Sequence, residues 1–129
     1  MCLRHDGSNL MNARNAAVKA VPKKAGMKKA ADLDRTAACL EALGQPVRLA
    51  VYRALVRAGP DGRSVGELQE AVGIPRSTLS FHLRRLIEVG LIVQERHGTT
   101  LICHADMAVM DHTLGFLMRE CCADRDGCR

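Results

Sequence analysis

At 129 residues the chain has the length of one domain with a modest core, and with one Tyr, two Phe and no Trp that core falls to Leu, Val, Ile, Ala and Met. No run approaches the roughly 18 apolar residues of a membrane span and no secretory apolar region opens the chain, so a soluble, cytoplasmic protein is expected. The net charge of +5 comes from one end: residues 1–33 carry seven basic and two acidic side chains, residues 34–129 twelve of each, so bulk charge alone does not argue for a nucleic-acid partner.

Residues 1–32 are rich in Ala, Asn, Lys and Gly, with Pro22 and Gly26 as breakers, and read as a disordered basic tail. A basic arm touching DNA phosphates is one alternative. Another is sequence upstream of a later start at Met11 or Met27.

From Leu33 the pattern turns helical, and residues 33–122 read as one domain. Leu33, Ala37, Leu40 and Leu43 make a stripe that Gly44 closes. Pro46 suits the first turn of a second helix, which buries Val47, Ala50, Val51, Ala54 and Leu55 and stops at Gly59-Pro60. Ser64 and Glu67 have capping-box spacing at the head of a third helix, with Leu68, Ala71 and Val72 inward and Gly73 at its end. Pro75 starts a fourth helix on the stripe Leu79, Leu83, Leu86 and Ile87, and Gly90 ends it.

Two β-rich runs, Leu91–Arg96 and Thr99–Cys103, flank a His97-Gly98 turn as a hairpin. A last helix, about Asp106 to Cys122, aligns Met107, Met110, Leu114, Leu117, Met118 and Cys121. The expected fold is mainly α with a small β-hairpin, a winged helix-turn-helix.

Residues 123–129 form a thiol-bearing tail. Cys121, Cys122 and Cys128 fall within the last nine residues, and thiolates select soft ions. In a reducing compartment such cysteines read as ligands or sensors before disulfides. Neighbours on a helix stand about 100° apart, and continued helix would put Cys128 roughly 9 Å beyond Cys122. Three sulfurs meet only if the helix stops near Ala123 and the chain doubles back, which Asp124-Arg-Asp-Gly127 permits. Three thiolates suit a trigonal ion, As(III) or Sb(III). Zn(II), which takes four ligands, would need His104, Asp106 or His112 as well. Cys39 and Cys103 read as small buried apolar residues.

Ala42-Leu-Gly-Gln-Pro-Val-Arg48-Leu, Val65-Gly-Glu-Leu-Gln-Glu-Ala-Val-Gly73, Ser77-Thr-Leu-Ser-Phe-His-Leu-Arg-Arg-Leu86 and the wing from Gly90 to Gly98 occur in order. With these pieces, residues 34–122 resemble the ArsR/SmtB metal-responsive repressors. Gln45 and Pro75 stand where that family favours Asp or Asn and Ser caps. Glu67-Leu-Gln-Glu70 replaces the Cys-x-Cys of its best-known arsenic and cadmium sensors. Phe116-Leu-Met-Arg-Glu-Cys-Cys followed by Cys128 is similar to the arsenite-responsive subgroup whose thiols lie just past the last helix.

The resemblance implies a homodimeric repressor of operator DNA with an inverted repeat, released by As(III) or Sb(III) on Cys121, Cys122 and Cys128, with no organic cofactor. In the fourth helix, Arg76, Ser77, Thr78 and Ser80 would face bases, while Arg84, Arg85 and the wing's Arg96 would meet phosphates. His82 lies beside the apolar stripe and is either a core-edge residue or, as the family pattern implies, part of the DNA surface. Dimerisation is expected through the first and last helices, on Leu33, Ala37, Leu40, Met110, Leu114 and Leu117, with Gly115 allowing close approach.

A thiol redox switch on the same fold, pairing Cys121 or Cys122 with Cys128, and a Zn(II)-responsive repressor are the alternatives. The chain has no Cys-x-x-Cys beside a βαβ pattern, no Gly-rich phosphate loop and no nucleophile–base pair, so an enzyme is not expected.

Overall fold

The computed structural model describes residues 24–125; the readings of residues 1–23 and of Cys128 lie outside them. Among the described residues, five helices and a three-stranded antiparallel sheet form a winged helix-turn-helix. Helix α1 is Lys24–Leu43 and α2 is Pro46–Ala58, followed by a 3-10 turn over Gly59–Asp61. The short strand β1, Arg63–Ser64, leads into α3, Val65–Val72, and then α4, Arg76–Glu88. Strands β2, Ile92–His97, and β3, Thr100–Ala105, make the wing, and α5 is Met107–Met118.

Caps set most of these boundaries. Gln45 serves α2 as the expected Asp or Asn would, its Oε1 accepting from the Arg48 N–H at 2.8 Å. At α3 the capping box forms in full. The Glu67 N–H donates to Ser64 Oγ at 3.1 Å and the Ser64 N–H to Glu67 Oε1 at 2.9 Å. Gly73, left-handed at φ 76°, closes that helix, and Pro75 precedes α4 without a side-chain cap. Asp106 Oδ1 caps α5 through the N–H groups of Ala108 and Val109.

The core is the meeting of one stripe from each element. Cys39 and Ala42 of α1, Val51, Tyr52 and Leu55 of α2, and Leu68 of α3 pack with Leu79, Leu83 and Leu86 of α4. Leu91, Ile92 and Cys103 close it from the wing. Cys39 and Cys103 are thus buried as small apolar residues.

On the helix faces, Ala50 and Ala71 are exposed where the sequence reading turned them inward, and Tyr52 is buried in their stead. Four features of the elements themselves also differ. Helix α1 begins at Lys24, inside the segment read as a tail. Ala25, Ala30 and Ala31 with three lysines have high helix propensity, and Gly26 falls in the first turn, where N–H groups lack partners in any case. The hairpin turn is Gly98-Thr99, since His97 pairs with Thr100. Strand β1 adds a third member to the sheet, Arg63 opposite Cys103 and Ser64 opposite Ile102; two residues carry no legible alternation. Finally, α5 ends at Met118, ahead of both Cys121 and Cys122.

Candidate nucleic-acid interface and thiol turn

Helix α4 buries Leu79, Leu83 and Leu86, which leaves Arg76, Ser77, Thr78, Ser80 and Arg84 exposed. Its first turn holds no acidic residue, so its N–H groups and Arg76 present an unopposed positive end. Between α4 and the wing runs a shallow groove. Arg76, Ser80, Arg84 and Gln94 line it, over a floor of Leu83 and Leu101. Gln94, which the sequence reading passed over, is steadied by its amide donating to Cys103 Sγ at 3.4 Å. Alternation along β2 would have found it, because Gln94 and Arg96 share one face of the sheet with their cross-strand partners Cys103 and Leu101. Arg96 is exposed at the wing.

Two residues assigned to this surface lie elsewhere. His82 is 8% exposed, and its Nδ1 is buried with no hydrogen-bond partner. It is a core-edge residue: the turn of α4 that sends Leu79, Leu83 and Leu86 inward carries His82 with them. Burial, and then the nearby Arg48 cation, lowers its pKa from the ordinary 6.5. Arg85 points to the flank of α4 that meets α1. Its Nη2 and Nε donate to Glu41 Oε1 at 2.6 and 3.2 Å, and its Nη1 to Glu88 Oε1 at 3.3 Å.

On the other side of the molecule α1 packs against α5. Leu33, Ala37 and Leu40 of α1 are exposed, as are Leu114 and Leu117 of α5, with Leu117 at 56%. Met110 differs, being half-buried against the core. A Cβ on Gly115 would meet only the Arg119 guanidinium, at 3.9 Å, so this stretch of α5 is open to a close neighbour.

Beyond α5 the backbone continues as tight turns. The Cys121, Ala123 and Arg125 N–H groups donate to the carbonyls of Met118, Glu120 and Cys122. Cys122, at φ 63°, is the non-glycine residue with positive φ among those described, a left-handed turn residue four positions past the end of the helix. The two sulfurs lie 3.5 Å apart. With metal–sulfur bonds of roughly 2.3 Å, two sulfurs sharing one soft ion sit about 3–4 Å apart, so the spacing fits. Cys122 is disulfide-bonded, and its sulfur becomes a ligand only on reduction.

Glu120, between this turn's helix and its thiols, pairs with Lys29 of α1 at 3.4 Å. Among the described residues no group of three or more His, Cys, Asp or Glu is placed to hold a metal. The side chains considered for completing a zinc set are engaged apart from the thiols. His104 Nδ1 lies 3.1 Å from the Pro60 carbonyl, Asp106 caps α5, and His112 faces Asp32 at 3.7 Å. Among the same residues no helix is long and apolar enough to cross a membrane.

Residues 43–95 match a family model described as a helix-turn-helix domain. The chain is 35% identical over 72 residues to the HTH-type transcriptional regulator YgaV of Escherichia coli, 56% of this chain and 71% of that one. It is 38% identical over 68 residues to the HTH-type transcriptional regulator NmtR of Mycobacterium tuberculosis. That match takes in 53% of this chain and only about half, 54%, of NmtR. Among solved structures, the homodimeric winged helix-turn-helix DNA-binding domain of Mb0332 from Mycobacterium bovis, a possible ArsR-family regulator, superposes with a TM-score of 0.59. Its sequence identity is 28%, with 81% of this chain and 90% of that one covered. The chain belongs to the HTH-type transcriptional regulators, and its winged helix-turn-helix fold is like that of ArsR-type structures.

Proposed function

We propose that this protein is a homodimeric transcriptional repressor that binds operator DNA carrying an inverted repeat and leaves it when As(III) or Sb(III) joins Cys121, Cys122 and Cys128. Family and fold point to a DNA-binding protein without enzymatic activity. Arg76, Ser77, Thr78 and Ser80 reach base edges at the head of α4, while Arg84 and Arg96 hold phosphates on either side of the groove. The exposed apolar faces of α1 and α5 are the dimer surface, which brings two α4 helices to half-sites about one helical turn apart.

The observation that carries the inducer is the thiol turn itself: two sulfurs 3.5 Å apart in a run of turns beyond α5, with Cys122 at positive φ. Cys128, outside the described residues, supplies the third sulfur. Binding orders this turn against the dimer helices and alters the pose of α4. A hundredfold loss of operator affinity requires about 2.7 kcal/mol of coupling, well within the usual range.

Operator affinity of the phosphine-reduced protein, with and without arsenite, tests the reading in wild type and Cys122→Ser. Arsenite should release the wild type and leave the variant bound. An equal response in both would remove Cys122 from the site.

The disulfide at Cys122 favours a second reading on the same fold, a repressor released by thiol oxidation. Release by peroxide or polysulfide, with no response to arsenite, selects it over the first.

A further inference from the structure

Glu41 of α1 sits where three helices meet. Its Oε1 accepts two hydrogen bonds from one guanidinium, that of Arg85 on α4, and its Oε2 faces Arg48 of α2 at 3.8 Å. Arg48 is itself fixed. Its side chain is 11% exposed, and Nε donates to the Ala42 carbonyl, one of the C-terminal acceptors that α1 cannot satisfy internally. Arg85 is about 100° around α4 from Arg84, on the flank toward α1 rather than the groove. Its hydrogen bonds hold the Glu41 carboxyl below its ordinary 4.5, so the pair is ionised at neutral pH.

We propose that Glu41 is a positioning residue for DNA reading: by clamping Arg85 it fixes the recognition helix against the dimer helix, and Arg85 is a structural strut rather than a phosphate contact. The inference rests on α4 being the DNA-reading helix and adds a residue outside that surface. The clamp joins positions 44 apart in sequence, one on the helix proposed to dimerise and one on the helix proposed to read bases. A change in the pose of α1 therefore reaches α4 by a direct bond. Exposed ion pairs shift an equilibrium by up to about fivefold, which bounds the effect.

The test uses the full chain and a duplex enriched by the wild type from a random-sequence library, titrated between 50 and 200 mM salt. Those concentrations are roughly the range over which phosphate contacts are read from salt dependence. Glu41→Gln and Arg85→Gln should each weaken the selected duplex about three- to fivefold, and the double variant no further than either single. Salt slopes should match the wild type, unselected duplex should bind unchanged, and Tm should move by no more than roughly 5 °C. Arg85→Lys, which keeps the charge but loses the two-pronged geometry, should bind like Arg85→Gln.

The opposite pattern overturns the proposal. Tighter binding by Glu41→Gln, or a salt slope shallower by about one in Arg85→Gln, makes Arg85 a phosphate ligand. Additive losses, or no loss in either variant, remove the coupling. A wild type that enriches no duplex instead removes the DNA-reading helix itself, together with this role for Glu41.

Discussion

Phe81 and His82 are consecutive on α4 and their rings meet edge to face, centroids 5.4 Å apart, yet Phe81 is 61% exposed and His82 8%. The helix surface turns from solvent to core between them. A step of about 100° is enough to put one ring outside and the next beneath it. Phe81 thereby shields His82, and an imidazole under such a lid resists protonation.

Acid sensitivity follows. Because burial lowers the pKa of His82 in the folded state from 6.5, the unfolded chain binds more protons than the folded one below about pH 6.5. Stability is therefore full above that value and falls as the pH drops through it. Urea unfolding at pH 7.5 and 5.5 should show a loss in wild type that is smaller in His82→Leu, which also removes the unpartnered Nδ1. Parallel losses in the two proteins would assign the acid sensitivity to other groups.

Two backbone positions near the wing should rank clearly in stability. Ser64→Ala removes one half of the capping box and should cost about 1 kcal/mol. Gly62 has φ 70°, and a Cβ there would collide with the Cys103 carbonyl oxygen and the His104 ring. Gly62→Ala should cost about 2–3 kcal/mol, since left-handed strain adds to a clash with backbone that cannot swing away. Chemical denaturation measures both, and a milder effect at Gly62 than at Ser64 would mean that the turn relaxes away from β3.

The arginines of the groove should separate by role. Alanine at Arg84 or Arg96 should weaken all duplexes alike and lower the salt slope by about one each, the signature of a lost phosphate contact. Alanine at Arg76 should cost about 1–3 kcal/mol on the preferred duplex and flatten base preference at one position. Fluorescence anisotropy on selected and scrambled duplexes distinguishes them; uniform loss at Arg76 would make it another phosphate contact.

Gly115 offers a test of assembly that spares the monomer. Only the flexible Arg119 guanidinium lies near the position of its absent Cβ, so Gly115→Leu should fold as the wild type does. If α5 pairs closely with its counterpart in a second copy, the variant should sediment as a monomer at concentrations where the wild type is a dimer. Identical sedimentation would place the dimer contact away from this stretch of α5.

Much of the architecture was legible in the sequence because it is written locally. The Ser64–Glu67 box, the Leu79–Leu83–Leu86 stripe, Gly73 and the hairpin each depend on residues a few positions apart, where backbone geometry and one hydrogen bond decide the outcome. The thiol pair was equally plain, since Cys121 and Cys122 are neighbours whatever the fold does. The end of α5 was not. Residues 119–122 have no glycine or proline to mark a stop, and the exit before Cys121 is set by a run of turns.

The sequence by itself thus determined the order of the helices and wing strands, their caps, the leucine stripes that make the core and which residue types stand ready for DNA and for a soft ion. Tertiary structure alone decided which of those residues are available. It turned His82 into the core, tied Arg85 to Glu41, brought Gln94 beside Arg76 and Arg84, and added β1 to the sheet. Each of these depends on contacts between segments far apart in the chain or on which flank of a helix meets a neighbour. Periodicity fixes that a helix has an inward face, but only packing fixes what stands against its edges.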